Sequence, residues 1–342
     1  MFRGQPSRFA WIRAPARISA ALVALLLAPA VLAADGPIAN ASRQFENGKY
    51  QQAAAILQTA LAQDAQNPAS YYWLARCYFE LGDYDHAIAS AKRAVELAPA
   101  NSEYHLWLGR AYGRKAEHAG WFSGLSLAKK TVHEFEEAVR RDPQNLVAQH
   151  DLIEFYYRAP GVAGGGDDKA RRQIQVLAGL DTVEGHLARG DYFAAKKKFD
   201  QAAAEFRQVL AAKPTRVSPY FDVADFCLSH DDASHAGEAI EAAARVDPAD
   251  RRLPYYRGAV RVLAGNELPK AERFLKTYLE TVPQRSDLPS HASAREWLGR
   301  LYEREGQCQA AVEQYRKALE LEPHDQAAQE ALRRLRRCSP GT

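Results

Sequence analysis

Two segments of the chain contain residues whose types and spacing could support chemistry, and the first is a glycine run. Gly164, Gly165 and Gly166 precede Asp167 and Asp168, and backbone N–H groups at a helix start can bind phosphate. The spacing Gly-x4-Gly-Lys-Ser/Thr is missing, no strand is expected before the run, and two aspartates stand where an anion would lie. The pattern therefore favours a loop followed by aspartate helix caps over an anion site.

The second segment contains two histidines. His118 and His133 are close in sequence, but their spacing matches no helix face, so we expect no metal site. The chain also lacks the His-Glu-x-x-His, paired Cys-x-x-Cys, Gly-x-Ser-x-Gly and dinucleotide-binding patterns. We therefore expect a protein that is not an enzyme and that uses no cofactor.

Composition and charge exclude several classes of protein. The 342 residues are 47% hydrophobic, 25% charged and 10% aromatic, which excludes a disordered, collagen-like or multi-spanning membrane protein. Four arginines and no acid lie in the first 34 residues, so the remaining chain carries 41 basic residues (45 less 4) against 42 acidic ones. This balance gives no overall attraction for nucleic acid, and we expect no such partner. The run Lys196, Lys197 and Lys198 is interpreted as a solvated turn.

The N-terminus has the three-part form of a secretory signal. Basic residues precede the apolar run 18–33, and small residues follow it. We expect residues 1–34 to be a cleaved signal peptide, with the cut after Ala33 or Ala34. The alternative is a retained membrane anchor, because the run approaches the roughly 20 residues that span a bilayer. Cleavage predicts a periplasmic or secreted protein with no stable membrane insertion.

The elements that must position these residues follow a period of 34. Small residues recur at positions 8 and 20 of each copy, as with Ala75 and Ala87, where two helices could approach closely. Glycine at position 15, such as Gly82, suits the left-handed residue that ends a first helix. Proline at position 32, such as Pro99, ends the second helix. The pattern predicts helix pairs stacked in tandem.

These residues resemble the tetratricopeptide repeat, and the clearest copy spans 68–101. The resemblance implies an all-α, right-handed superhelical solenoid of about eight helix pairs at residues 35–325. The predicted copies begin near residues 34, 68, 102, 146, 183, 217, 251 and 292. A capping helix at 326–338 would cover the end of the solenoid, leaving 339–342 as a tail.

Two adjacent copies exceed the period. The third has about ten extra residues within 113–130, and the fourth has about five within 158–173. Insertions in a solenoid usually form loops on one edge, often the binding edge. We expect these loops to emerge side by side, with Trp121 and Phe122 beside the glycine run. The pairing resembles a subgroup of secreted bacterial tetratricopeptide proteins. It also raises an alternative function, the binding or conversion of a small molecule, glycan or anion beneath the loops.

Secretion would allow the four cysteines to form disulfides. If the capping helix packs antiparallel to the last helix of copy 8, Cys338 lies near Cys308, and we predict that bond. The alternative is two free thiols. Cys77 and Cys227 lie four copies apart, and we interpret them as buried thiols that act as small apolar residues.

In tetratricopeptide proteins the first helices line a concave groove, so the resemblance implies a peptide or protein ligand held there. The groove positions give an aromatic and basic end, an acidic middle and a second aromatic and basic end, and aromatic and Arg side chains are the usual anchors of protein interfaces. The predicted groove residues are Tyr72, Trp73, Arg76, Phe79, Trp107, Arg110, Arg114, His150, Asp151, Glu154, Arg158, Phe221, Asp225, Tyr255, Trp297 and Arg300. The three tryptophans could equally pack on neighbouring copies, and Arg110 could pair with Glu154.

Overall fold

The computed structural model describes residues 36–335. The predicted signal peptide, the tail and Cys338 lie outside this range. Within it the chain forms 17 α-helices and one short 3-10 helix, and it contains no strand. This architecture confirms the predicted all-α solenoid.

Sixteen of the helices form eight consecutive pairs, which we call copies 1 to 8. In chain order the pairs are α1 (Pro37–Glu46) with α2 (Tyr50–Gln63), α3 (Pro68–Glu80) with α4 (Tyr84–Leu97), α5 (Ser102–Glu117) with α6 (Trp121–Arg141), α7 (Leu146–Arg158) with α8 (Asp167–Leu180), α9 (Thr182–Ala195) with α10 (Phe199–Ala212), α11 (Ser218–Ser229) with α12 (Ala233–Val246), α13 (Leu253–Ala264) with α14 (Leu268–Thr281), and α15 (His291–Arg304) with α16 (Cys308–Leu321). The closing helix α17 (Gln326–Arg334) packs on α16.

Local sequence sets where these helices begin and end. The side chain of Asn67 caps α3 by accepting a hydrogen bond from Ser70 N at 3.0 Å. Gly82 follows the same helix with a φ of 74°, which glycine adopts without a steric penalty. Copies 5 and 6 place Lys197 and Asp231 at the equivalent turn position, each with a φ of 58°. A left-handed turn is therefore kept even where glycine is absent.

The small residues lie where the helices touch. Seven of the position-20 alanines are fully buried, namely Ala53, Ala87, Ala170, Ala202, Ala236, Ala271 and Ala311. At position 8, a Cβ atom on Gly190 would lie 2.7 Å from the ring of Phe206, and one on Gly299 would lie 2.6 Å from the ring of Tyr315. Packing at interior density leaves no room for such an atom.

First helices lie on the inside of the solenoid. Each first helix contacts the first helix of the next copy, from α1 through to α15, whereas second helices of successive copies have no comparable contact among the described residues. A stack whose first helices converge and whose second helices diverge is curved, with the first helices on the concave side. We call this concave side the first-helix face.

The insertion in copy 3 does not form the predicted loop 113–130. Only the turn 118–120 is non-helical. The extra residues lengthen the two helices instead, so that α6 has 21 residues where every other second helix has 14. The segment is helical because both ends of it pack on α5. A Cβ atom built on Gly124 would lie 3.3 Å from the carbonyl oxygen of Ala116, so the two helices are close there. Leu127 packs beside Tyr112.

The insertion in copy 4 does form a loop, and that loop is packed. It contains the 3-10 helix Gly161–Ala163, whose last residue is buried. Gly164 lies against Val132 of α6, since a Cβ atom built on Gly164 would lie 3.0 Å from a methyl carbon of Val132. Gly166 N donates a hydrogen bond to Tyr156 O at 2.7 Å. The two insertions therefore meet through α6, and the glycine run is anchored.

A long connection between copies 7 and 8, residues 282–290, returns to the start of the solenoid. Tyr50 Oη donates to Gln284 O at 2.5 Å. Ser286 donates to Glu80 from both its hydroxyl, at 2.6 Å, and its backbone N, at 3.0 Å. We call this contact between copies 1 and 2 and residues 283–287 the seam. It shows that the described helices complete a full superhelical turn.

Candidate functional site

Three first helices carry the same pair of side chains one turn apart, a tryptophan at position 6 and an arginine at position 9. In each pair the guanidinium carbon lies over the indole ring, at 4.4 Å for Arg76 on Trp73, 5.1 Å for Arg110 on Trp107 and 4.6 Å for Arg300 on Trp297. Cation–π contacts of this kind hold the arginines against the helix surface. The repeated pair belongs to copies 2, 3 and 8.

Most of the predicted aromatic groove residues pack between copies. Trp107 and Trp297 are only 8% and 7% exposed. The indole of Trp297 donates to Tyr255 Oη at 3.3 Å, and Trp107 meets Phe79 edge-on at 5.4 Å. Phe221 is also buried. These rings join successive first helices and offer a partner little surface.

Arg76 is the least neutralised of the predicted basic residues at copies 2 and 3. Its guanidinium carbon lies within 4.4–5.6 Å of four ring centroids, those of Phe45, Tyr72, Trp73 and Trp107. Its Nε is buried without a hydrogen bond, and it forms no ion pair within residues 36–335. An uncompensated positive charge therefore stands at this end of the first-helix face.

The other two arginines there are neutralised. Arg110 binds Asp151 of the next copy through two hydrogen bonds, Nε to Oδ2 at 2.6 Å and Nη2 to Oδ1 at 3.2 Å. Arg110 therefore does pair across copies, but its partner is Asp151 and not Glu154, the partner that the sequence suggested as possible. Glu154 instead meets Arg158, one turn along its own helix, at 3.2 Å. Arg114 pairs with Glu117.

The acidic middle of the face surrounds a cavity of about 390 Å³. One wall is neutralised, since Glu184 accepts from His150 Nε2 at 2.5 Å and from Arg216 at 2.7 Å. The other wall carries Asp191 and Asp222, whose carboxylates have no hydrogen bond or ion pair within the described part of the chain. Two adjacent, unpaired negative charges therefore face this cavity.

The surroundings of these carboxylates disfavour their charged form. Desolvation, opposed by His150, raises the pKa of Asp191 to about 6. Desolvation and the neighbouring charges of Asp191 and Asp225 raise the pKa of Asp222 to about 7. Asp225 accepts a hydrogen bond from Tyr256 Oη at 2.9 Å, and desolvation raises its pKa to about 6. A cationic group entering the cavity would relieve this repulsion.

The far end of the face is mixed in charge. Arg300 is exposed above Trp297 and borders a cavity of about 410 Å³ together with Glu296 and Arg334. Desolvation and the charge of Asp325 raise the pKa of Glu296 to about 8. This end was predicted to be aromatic and basic, but it also contains the acids Glu296 and Asp325, which the prediction did not include.

The two insertions do not enclose a ligand site around the predicted aromatic pair. Trp121 and Phe122 begin α6 with 72% and 86% of their surfaces exposed, so their rings cover no pocket. Lys169 Nζ donates a hydrogen bond to Gly164 O at 3.0 Å. The glycine run therefore binds a side chain of the protein itself. Asp167 and Asp168 lie in the first turn of α8, but Gly166 is the N-cap residue and no side chain caps this helix. The predicted aspartate caps are therefore wrong.

Several further features of the described residues bear on function. Cys77 and Cys227 are free and buried, and Cys308 is disulfide-bonded. Cys338 lies outside the described range, so its pairing stays a prediction. Within residues 36–335 no three His, Cys, Asp or Glu side chains are grouped so as to hold a metal ion. Among the described helices, none combines the length and the apolar character needed to cross a bilayer.

Two segments of the chain match models of repeat families. Residues 44–111 and residues 271–326 each match a family described as tetratricopeptide repeat. No curated protein sequence matches the chain. The matches cover copies at both ends of the solenoid and agree with its helix pairs.

Solved structures share the fold at low sequence identity. The dimer of human IFIT1 with PPP-AAAA is 16% identical, with a TM-score of 0.51 over 87% of this chain and 72% of that one. A thermophilic TPR protein of Thermus thermophilus is 22% identical, with a TM-score of 0.46 over 56% of this chain and 97% of that one. The C-terminal part of a TPR repeat-containing protein from Cytophaga hutchinsonii is 19% identical, with a TM-score of 0.41 over 86% and 99%.

Proposed function

We propose that this chain, whose fold and repeat matches support membership of the tetratricopeptide repeat family, is a non-catalytic protein that binds a peptide or protein partner along its first-helix face. The observation that carries the proposal is the unpaired state of Asp191 and Asp222 beside the 390 Å³ cavity. Two carboxylates that raise each other's energy are more stable once a partner supplies a positive group.

The pattern of free charge indicates what the partner looks like. Arg76 offers an uncompensated positive charge in copy 2, whereas Asp191 and Asp222 offer negative charge in copies 5 and 6. A partner segment with acidic groups towards copy 2 and basic groups towards copies 5 and 6 would match both. Because opposite charges in the reverse order would repel, this pattern favours one direction of binding.

The place of action that fits this proposal is the periplasm or the extracellular space. It rests on the arginines and the apolar run of residues 1–34. Mass spectrometry of the protein purified from the periplasm and the growth medium tests it. We expect a chain that begins at Ala34 or Asp35. A chain retaining residues 1–34 would instead indicate a membrane-linked protein.

The binding proposal is tested by crosslinking and affinity capture from periplasmic extract. The wild type is compared with Asp191→Asn plus Asp222→Asn, and separately with Arg76→Gln. Arg110 is left intact, because its removal would leave the carboxylate of Asp151 unpaired. We expect each variant to recover the captured partner at least about tenfold less well, the effect of losing roughly 1.4 kcal/mol of binding.

The matched control is Glu238→Gln, which removes one exposed negative charge from the second helix of copy 6. It lies away from the first-helix face and should recover the same partner as the wild type. Circular dichroism establishes that all variants remain folded. Equal recovery from the wild type and both groove variants would contradict the proposal.

A further inference from the structure

Four of the eight large apolar side chains that the described residues expose, among them all three aromatic ones, lie at one edge of the solenoid, where first helices end and second helices begin. The exposed fractions there are 72% for Trp121, 86% for Phe122, 62% for Val162 and 44% for Phe199. These residues belong to the turns of copies 3, 4 and 5. We call this region the turn edge. Large exposed apolar groups that cluster in this way usually mark an interaction surface.

The three turns are joined by contacts. The loop of copy 4 packs on α6 of copy 3 through Gly164 and Val132. Lys196, in the turn of copy 5, pairs with Asp167 of copy 4 at 2.6 Å. Copy 4 is therefore held against the side of α6, behind the tip of copy 3, and the turns of copies 4 and 5 are held together directly.

The turn of copy 3 projects beyond its neighbours. Because α6 has 21 residues against 14 in the other second helices, its start extends by about 10 Å at the rise of an α-helix. Gly124 packs against the carbonyl of Ala116, which supports the extension on α5. Trp121 and Phe122 thus form the tip of a firm helical hairpin.

Positive charge lies behind this tip. Residues 118–133 include Lys129 and Lys130 and no acid, and about nine residues of helix place these lysines roughly 13 Å behind Trp121. In copy 5, Lys197 and Lys198 are exposed and form no ion pair among the described residues. Of the acids in these turns, Glu117, Asp167 and Asp168 are paired with arginine or lysine, which leaves Asp200 exposed.

We propose that the turn edge binds the surface of an anionic lipid bilayer. Tryptophan and phenylalanine favour the interface between headgroups and acyl chains, and apolar groups of peripheral proteins enter it by roughly 5–10 Å. At that depth of the tip, Lys129 and Lys130 lie near the lipid phosphates. These two lysines, and the exposed Lys197 and Lys198 of the same edge, each contribute favourable electrostatic energy at an anionic surface. The protein lies on the bilayer, and the first-helix face remains open to a partner. This surface is independent of the proposed groove function.

Vesicle flotation tests the proposal with the purified protein that begins at Ala34 or Asp35, so that the basic and apolar residues 1–34 contribute no binding. The vesicles contain equal parts of phosphatidylglycerol and phosphatidylcholine, or phosphatidylcholine alone. We expect wild-type protein to bind the anionic vesicles, and Trp121→Ser plus Phe122→Ser to weaken binding at least about tenfold. Lys197→Gln plus Lys198→Gln should weaken it about tenfold and reduce its salt dependence. Val147→Ser plus Val176→Ser removes two exposed apolar residues elsewhere and should change nothing.

A spectroscopic measurement separates this edge from every other part of the chain. Brominated acyl chains should quench Trp121 in the wild type. Trp121→Phe should keep vesicle binding and lose that quenching, although three other tryptophans, Trp73, Trp107 and Trp297, remain in the chain without residues 1–34. Wild-type binding by the Trp121→Ser plus Phe122→Ser variant, or unchanged quenching in Trp121→Phe, overturns the proposal. A third result also overturns the proposal: the wild type binds no vesicles, and the Trp121→Ser plus Phe122→Ser variant loses a protein that the wild type captures. The turn edge would then bind a protein and not a bilayer.

Discussion

Arg285 forms an ion pair with Glu46 across 239 residues of sequence. The arginine precedes the last helix pair, and the glutamate ends the first helix. Arg285 also pairs with Asp287, and its guanidinium carbon lies 6.0 Å from the centroid of the Phe45 ring. The ion pair lies at the centre of the seam, so a contact remote in sequence holds one superhelical turn against the next.

The first prediction concerns the strength of this seam. Arg285→Gln combined with Ser286→Ala removes the Glu46 ion pair and the hydroxyl bond to Glu80. Because the seam is mainly polar, we expect a loss of about 2 kcal/mol in the free energy of unfolding. We also expect a larger radius of gyration by small-angle X-ray scattering.

The control for the seam is Arg273→Gln, an exposed arginine of α14 outside the seam. It should leave both quantities within error of the wild type. An Arg285→Gln plus Ser286→Ala variant as compact and as stable as the wild type would show that the seam does not hold the turn closed.

The second prediction concerns the close helix contact in copy 5. Gly190→Val would place its first side-chain carbon 2.7 Å from the ring of Phe206, and such overpacking costs about 1–3 kcal/mol in the free energy of unfolding. The matched substitution is Gly179→Ala, at a helical glycine with no atom near its Cβ position, where we expect a gain of about 0.5–1 kcal/mol. Urea denaturation measures both. Equal effects of the two changes would refute the packing argument.

The third prediction concerns pH. The folded-state pKa values of Asp191 and Asp222, about 6 and about 7, exceed the ordinary value of 3.8. Between about pH 4 and pH 7 the folded protein therefore binds more protons than the unfolded chain, and stability falls as pH rises through this window. Asp191→Asn plus Asp222→Asn should raise Tm relative to the wild type at about pH 8, and leave it little changed at about pH 3.5.

The gain in Tm should be modest, because Asp222 is exposed to solvent within the cavity. Glu238→Gln, which removes one exposed charge from a second helix, provides the comparison and should show no such dependence on pH. If the difference in Tm between the Asn variant and the wild type stays the same from acid to neutral pH, the folded protein does not disfavour the charged forms of Asp191 and Asp222.

The fourth prediction concerns the cysteines. Peptide mapping without reductant should recover Cys308 linked to Cys338, with Cys77 and Cys227 alkylated only after denaturation, since both are buried. Closing a loop of about 30 residues stabilises a folded chain by about 3.6 kcal/mol. Cys338→Ser should therefore lower the free energy of unfolding by up to that amount. Recovery of Cys338 as a free thiol would disprove the pairing.

Fold and repeat number could be predicted because they depend on short-range sequence. Ala87 and Gly82 act within one helix pair, and their spacing repeats along the chain. The length of α6 was mispredicted because insertions in solenoids usually form loops, and this general rule was given more weight than the helical spacing of apolar residues within the segment itself. Leu127, Thr131, Phe135 and Ala138 recur at intervals of three or four residues, as one face of a helix does, and they lie on the packed side of the lengthened helix.

The candidate site was predicted only in part, because side-chain partners depend on the offset between copies. From the sequence, only Glu154 was considered as a partner for Arg110. Asp151 lies one turn earlier on α7, and the stacking of copies 3 and 4 brings Asp151 to Arg110 instead. Burial was decided in the same way. Trp297 could have faced a ligand, yet the neighbouring first helix brings Tyr255 against it.

The sequence by itself determined the helix pairs, their number and the positions that face inward, since each follows from contacts among residues fewer than about 40 apart. The seam was decided only by the tertiary structure. Small rotations between copies accumulate along a solenoid, and their sum brings Glu46 to Arg285. No local pattern records that sum. The offset between neighbouring copies, also set only by tertiary packing, determines which charges of the first-helix face find partners and which, like Asp222, remain free.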